Sequence, residues 1–74
     1  MYVTVKLGDR LPTVALAQAR LLEKGESELT VDGVFDSKTQ AAVSRLQKRA
    51  GLALTGEVDQ PTWNVELSLS GYAV

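Results

Sequence analysis

Three stretches of the chain repeat apolar residues at the spacing of an α-helix, and glycines and prolines separate them. The first stretch runs from about Pro12 to Lys24, and proline suits a first helical turn because its missing N–H is not needed there. Asp9 and Leu11 are alternative N-caps, and Gly25 suits the position after the C-terminus. The predicted buried stripe consists of Val14, Ala17, Leu21 and Leu22, with Gln18 at its edge.

The second stretch has the clearest helical period. Ser37 and Gln40 form the S-x-x-Q pattern of a capping box, Asp36 is a competing N-cap, and Gly51 ends the helix. Polar and charged residues occupy the other faces, so the pattern predicts a helix that buries one side. That side is formed by Thr39, Ala42, Val43, Leu46 and Ala50.

The third stretch is short and spans Gln60 to about Leu67, with Asp59 as its cap and Pro61 in its first turn. Residues 2–5 alternate like a short strand that could pair with the C-terminal tail, residues 68–74, or with nothing. The sequence therefore predicts a single domain over residues 1–74, an all-α three-helix bundle with a short N-terminal extended segment.

A local pattern occurs twice: a glycine, an apolar residue two positions later, an aspartate three later and a threonine six later. We interpret each copy as a glycine turn that places an apolar side chain in the core before the aspartate caps a new helix. The copies are Gly33, Phe35, Asp36 and Thr39, and then Gly56, Val58, Asp59 and Thr62.

Composition narrows the possible functions. The 74 residues include no histidine and no cysteine, which excludes a Ser-His-Asp triad, a thiol nucleophile and a cysteine-ligated zinc site. The 8 Lys+Arg and 9 Asp+Glu residues give a formal net charge of -1, which argues against nucleic-acid binding. No apolar run is long enough to cross a membrane, and the N-terminus lacks the pattern of a signal peptide.

Taken together, these motifs resemble the peptidoglycan-binding domain 1 family over about residues 5–67. The resemblance implies a compact three-helix bundle that binds bacterial cell-wall peptidoglycan without cleaving it, usually attached to a hydrolase, amidase or transpeptidase. In the first half, Leu7, Gly8, Asp9, Val14, Gln18 and Leu21 match the family pattern. In the second half the matches are Val31, Asp32, Gly33, Phe35, Thr39, Ala42, Val43, Gln47, Gly51, Leu52, Thr55, Gly56, Val58, Asp59, Thr62 and Trp63.

The chain departs from the family pattern at several positions. Leu11 stands where the family usually has glycine, and Ala17 and Leu46 replace larger apolar residues. Asp36 and Ser37 replace a common Gly-Pro pair, which adds a negative charge to the loop before the second helix. The fold tolerates these changes, because aspartate can adopt a left-handed backbone and the core replacements remain apolar.

If the ligand is the glycan or the stem peptide of peptidoglycan, we expect a shallow groove for it between loop 32–38 and the second helix. An alternative interpretation of the Asp32-Gly33 pair is a turn that only positions the Phe35 side chain in the core. Cations on the second helix could meet stem-peptide carboxylates or form a solvated face. The candidate ligand-binding residues are Asp32, Gly33, Asp36, Ser37, Lys38 and Arg45.

Other candidate residues favour structural roles. Gln18 and Gln47 border buried stripes, and we expect their amides to bond loop backbone. Trp63 is expected in the core, because a small bundle has few large fillers, rather than stacked on a sugar. Asp32 and Asp36 lack the further oxygen ligands of a calcium site, so no metal or cofactor is expected.

Two functional hypotheses follow. The first is a non-catalytic wall-binding module that brings an attached or associated activity, such as a cell-wall hydrolase, to peptidoglycan. The second is a structural or adaptor subunit of a phage tail or injection particle, with contacts through an exposed Leu16, residues 2–5 and residues 69–74. Without an export signal, the chain is expected to reach the wall by lysis, on a particle, or as part of a longer exported protein.

Overall fold

A computed structural model describes residues 3–67 of the chain, which contain three helices. They are α1 (Pro12–Glu23), α2 (Ser37–Ala50) and α3 (Gln60–Leu67). No strand occurs within these residues, and isolated backbone bridges join Val5 to Val58 and Arg10 to Val34. The predicted all-α three-helix bundle is confirmed, while the tail at residues 68–74 lies outside the described residues.

The beginnings of α1 and α2 resolve the capping alternatives. Leu11 precedes α1 with an extended backbone and no side-chain cap, which Pro12 permits because it has no N–H to satisfy. Asp9 instead accepts a hydrogen bond from the backbone N–H of Lys6 at 2.9 Å. At α2 the cap is Asp36, whose side chain accepts from a backbone N–H three residues later. The S-x-x-Q capping box is therefore not the cap that begins this helix.

One apolar core joins the three helices to the two turns that connect them. Trp63 and Phe35 are its largest side chains and are each 1% exposed. Gln18 is as deeply buried as its apolar neighbours, whereas Ala50, predicted on the buried side of α2, is exposed. The buried apolar residues are Val5, Val14, Ala17, Leu21, Phe35, Ala42, Val43, Leu46, Val58 and Trp63.

The N-terminal segment is part of this core. Val5 is fully buried and exchanges two backbone hydrogen bonds with Val58, at 3.3 Å and 2.9 Å. The indole N–H of Trp63 donates to the carbonyl of Val3 at 2.9 Å. The expectation that the segment would pair with nothing was wrong, because Val5 pairs with the turn before α3. The alternative of pairing with the tail falls on residues 68–74, outside the described residues. Leu16, expected to be exposed, is partly buried against the core.

Candidate functional site

Gln18 of α1 holds the loop that carries the first candidate residues. Its amide oxygen accepts from the backbone N–H groups of Asp32 and Gly33, at 3.0 Å and 2.9 Å. Its amide nitrogen donates to the Val34 carbonyl at 2.9 Å and to the Thr39 hydroxyl at 3.0 Å. A buried amide with all of these partners fixes the loop against α1.

Gln47 of α2 does the same at the turn before α3. Its oxygen accepts from the N–H of Gly56 at 3.1 Å, and its nitrogen donates to the carbonyl of Glu57 at 2.9 Å. The hydroxyls of Thr55 and Thr62 accept from the same nitrogen, each at 3.0 Å. The prediction that both glutamines bond loop backbone is confirmed.

The two turns differ in what covers the glycine. At Gly56 an added Cβ would lie 3.2 Å from the Cγ of Gln40, so a side chain already fills that space. At Gly33 the nearest atoms to such a Cβ are the Leu11 carbonyl oxygen at 3.4 Å and the Ala15 Cβ at 4.0 Å. The Gly33 turn therefore stays more open, and a surface hollow lies beside it.

This surface depression, the Asp32 hollow, has a volume of about 360 Å³. The Asp32 carboxylate accepts from the backbone N–H of Val34 at 3.0 Å and from the Gln18 amide at 3.1 Å, as in a turn. Asp32 is nevertheless exposed, so its position is compatible with a role in the turn and with a contact to a ligand. The hollow is lined by Arg10, Leu11, Pro12, Ala15, Asp32, Gly33 and Val34.

A second depression, the Lys38 hollow, lies beside the loop that follows α1 and has a volume of about 190 Å³. It contains Lys38 and Arg45 but neither Asp32 nor Gly33, so the predicted binding residues do not line one continuous groove. Its lining residues are Glu26, Glu28, Leu29, Lys38, Ala41 and Arg45.

Glu26 organises the charges of the Lys38 hollow. Its side chain is only 9% exposed and accepts from the Arg45 Nε at 3.0 Å and Nη2 at 2.7 Å. Arg49 donates from Nη1 to the other oxygen at 3.2 Å. The hydrogen bond from Arg45 is the largest influence and lowers the pKa of the Glu26 carboxyl, and it raises the pKa of Arg45 in turn. Part of the cationic face expected on α2 is therefore neutralised within the molecule.

Asp36 and Ser37 lie at the start of α2 and line neither hollow. The Asp36 carboxylate accepts from the backbone N–H of Thr39 at 3.0 Å. This hydrogen bond lowers the pKa of Asp36, because it stabilises the charged form. Both residues are exposed, and in the sequence they lie between Val34 of the Asp32 hollow and Lys38 of the other hollow.

The sequence model of the peptidoglycan binding domain family matches residues 10–65, which include α1, α2, both glutamine-held turns and most of α3. The chain belongs to this family. No curated protein sequence matches it.

Two solved structures share the peptidoglycan-binding domain fold of this chain. The crystal structure of the SleB N-terminal domain is 27% identical with a TM-score of 0.84, and the match covers 90% of this chain and 92% of that one. The crystal structure of Burkholderia AP3 phage endolysin is 34% identical with a TM-score of 0.83 over 88% of this chain. This chain corresponds to 25% of the endolysin chain.

The aromatic residues of the domain do not form a sugar-stacking surface within residues 3–67. Phe35 and Trp63 are both in the core, as the sequence predicts for Trp63. Within the same residues, no group of three or more acidic side chains could hold a metal ion. None of the described helices is long and apolar enough to cross a bilayer.

Sequence reasoning missed the contribution of the loop after α1. Glu26 and Glu28 come from that loop and meet Lys38 and Arg45 of α2 in one hollow. No local sequence pattern predicts this cluster of charges, because Glu26 pairs with an arginine 19 residues away. The near-complete burial of Glu26 appears only once the helices have packed.

Proposed function

We propose that this chain is a non-catalytic module, one domain over residues 1–74, that binds bacterial peptidoglycan and keeps an attached or associated activity at the cell wall. The observation that carries the proposal is the family match across α1, α2 and most of α3. The fold shared with part of a phage endolysin supports an association with a cell-wall hydrolase. Binding raises the local concentration of such a partner at the wall.

We place the ligand contacts on the surface that begins at the Asp32 hollow, crosses the start of α2 and ends at the Lys38 hollow. Its open shape supports a weak interaction for one copy of the domain, because a shallow site buries little area. The proposed contact residues are Asp32, Gly33, Asp36, Ser37, Lys38 and Arg45.

The chemistry of the Lys38 hollow supports binding rather than hydrolysis. Glycoside hydrolysis by a carboxyl pair needs one group whose pKa is raised so that it can act as a general acid. The Glu26 carboxyl has the opposite environment, because Arg45 and Arg49 stabilise its charged form. We therefore assign Glu26 to holding Arg45 in place.

Co-sedimentation with purified insoluble peptidoglycan tests the proposed function. Protein that is folded by circular dichroism should pellet in a saturable manner at micromolar concentration, and the turbidity of the suspension should stay constant. Failure of the folded protein to pellet would overturn wall binding. Clearing of the suspension would overturn the non-catalytic assignment.

No specific observation favours the alternative role as a particle subunit. Two of the surfaces expected for that role are engaged with the core, since Leu16 packs against it and Val5 is fully buried. The third, residues 69–74, lies outside the described residues. Assembly with particle proteins in place of pelleting would support that role.

A further inference from the structure

Two opposite charges in the Lys38 hollow form no salt bridge among residues 3–67, although Glu28 interacts electrostatically with Arg45 and Lys38 with Asp36. Lys38 and Glu28 both line the hollow and are exposed. Neither side chain makes a hydrogen bond or ion pair with another described residue. Leu29 and Ala41 supply apolar surface in the same hollow. The hollow therefore offers an ammonium group, a carboxylate and an apolar wall to a bound molecule.

Arg45 adds a donor whose direction is fixed. Its Nε and Nη2 donate to Glu26, while its Nη1 donates to no residue in the described part of the chain. The Arg45 side chain is 58% exposed although its guanidinium is held by Glu26. A donor held in place before binding loses less conformational freedom when a ligand arrives.

The charges of this hollow balance. Glu26 and Glu28 supply two carboxylates, and Lys38 and Arg45 supply two cations. Because Glu26 already pairs with Arg45, a ligand with both a carboxylate and an ammonium group complements the hollow best. At about 190 Å³ the hollow is smaller than the roughly 300–1,000 Å³ of a drug-sized pocket, so it admits only a short segment of a polymer.

We propose that the Lys38 hollow binds the peptide stem of peptidoglycan through a carboxylate and the side-chain ammonium group of its diamino residue. Lys38 and Nη1 of Arg45 bind the carboxylate, and Glu28 binds the ammonium group. The peptide is favoured over the glycan for two reasons. Where a stem is attached, the lactyl carboxyl of N-acetylmuramic acid is consumed in the amide bond, so the glycan there carries no charge, and the described aromatic residues are buried. This inference rests on the proposed function and assigns the substrate class to one part of the site.

A chemical-shift titration of the ¹⁵N-labelled chain locates the ligand. The probes are a stem peptide with lysine as the diamino residue and a blocked N-terminus, the same peptide with the lysine amine acetylated, and an uncharged disaccharide of N-acetylglucosamine. We expect the first peptide to shift the amides of Glu28, Lys38 and Arg45. Acetylation should weaken binding, and the disaccharide should leave these amides unshifted.

Matched variants test the assigned contacts. Lys38→Gln and Glu28→Gln should each weaken binding of the first peptide by about two- to fivefold, as expected for exposed ion pairs. Lys48→Gln removes the same charge from an exposed position of α2 outside the hollow and should leave the affinity unchanged. Acetylation of the peptide amine should weaken binding to the original chain but not to Glu28→Gln, because the two changes remove the same interaction.

Three results would overturn the inference: unshifted amides around the hollow, equal affinities of Lys38→Gln and Lys48→Gln, or a Glu28→Gln variant that remains fully sensitive to acetylation. The proposed function is judged separately by pelleting of the unaltered chain. Pelleting without a titration signal at the hollow would refute only the peptide-stem site. Failure to pellet would refute wall binding itself.

Discussion

Gln47 makes at the turn before α3 the same hydrogen bonds that Gln18 makes at the turn before α2. Each amide oxygen accepts from a left-handed glycine, and each amide nitrogen donates to the next carbonyl and to a buried threonine hydroxyl. The pattern that occurs twice in the sequence therefore corresponds to two equivalent turns. In each of them, a glutamine on one helix holds the turn from which the next helix begins.

Replacing either glutamine by leucine should destabilise the domain. Gln18→Leu and Gln47→Leu keep the approximate side-chain size but leave backbone and threonine groups unpaired, so we expect each to lower the free energy of unfolding by about 2–4 kcal/mol. Urea unfolding followed by circular dichroism measures the change. Asn64→Leu, at an exposed position of α3, is the control. Surface substitutions usually change the free energy of unfolding by less than about 0.5 kcal/mol. A loss this small in either glutamine variant would show that the hydrogen bonds of that glutamine do not stabilise the domain.

Two glycines with nearly the same φ angle should respond differently to alanine. Gly51 and Gly56 have φ values of 74° and 73°, so alanine at either position costs about 1–2 kcal/mol of backbone strain. At Gly51 nothing lies within 4 Å of the added Cβ, whereas at Gly56 the Gln40 side chain must move. We expect Gly56→Ala to lose about 1 kcal/mol more than Gly51→Ala in the same unfolding assay. Equal losses would show that Gln40 yields without cost.

Acid should weaken the contacts of Glu26. The pKa of Glu26 in the folded chain is lowered by Arg45, so the stabilisation is complete above the unfolded value of about 4.3 and is lost as the pH falls through the folded pKa. Glu26→Gln should be less stable at neutral pH by about 1–2 kcal/mol and should lose less stability on acidification. Asp36, whose pKa is also lowered, supplies part of the remaining pH dependence.

Urea midpoints measured from neutral to acidic pH test the role of Glu26. Glu28→Gln is the matched control, because Glu28 is exposed and makes no ion pair among the described residues. We expect its pH profile to follow that of the original chain. A Glu26→Gln profile parallel to both would mean that the pairing with Arg45 contributes nothing to the acid sensitivity.

The N-terminal segment should stabilise the fold through Val5 but not through Val3. Val5→Ala removes two methyl groups from a fully buried site, and we expect a loss of about 1–3 kcal/mol. Val3→Ala makes the same change at a side chain that is 61% exposed and should be nearly neutral. Thermal or urea unfolding compares them, and equal effects would contradict the packing of Val5 against the core.

The structural and ligand-binding interpretations of Asp32 can be separated by two substitutions. Asp32→Asn keeps an oxygen that can accept from Val34 and Gln18, so its stability should change little. Asp32→Ala removes that acceptor and should cost about 1 kcal/mol. If Asp32 also contacts peptidoglycan, the well-folded Asp32→Asn variant should pellet less than the original chain. Unchanged pelleting would leave Asp32 with a turn role alone.

The helix boundaries were predictable because their signals are local. Pro12, Asp36, Gly51 and Pro61 each act on the backbone within one turn of their own position, and the observed helices begin and end beside them. The buried glutamines were predictable for a related reason, since polar residues beside an apolar stripe must bond to something once the helix packs. Ala50 shows the limit of periodicity, because the last turn of α2 extends past the core.

Backbone preference and local periodicity are enough to predict the three helices, the two glycine turns and most of the apolar residues that fill the core, although Ala50 is exposed and Val5 joins the core from outside the helices. The packing of the helices brings Val5 to the turn before α3 and places four of the six candidate residues in two separate hollows. It also brought Glu26 to Arg45 across 19 positions and left Glu28 beside Lys38. Such pairings depend on how the helices pack against one another, and the spacing of residues along the chain does not predict this packing.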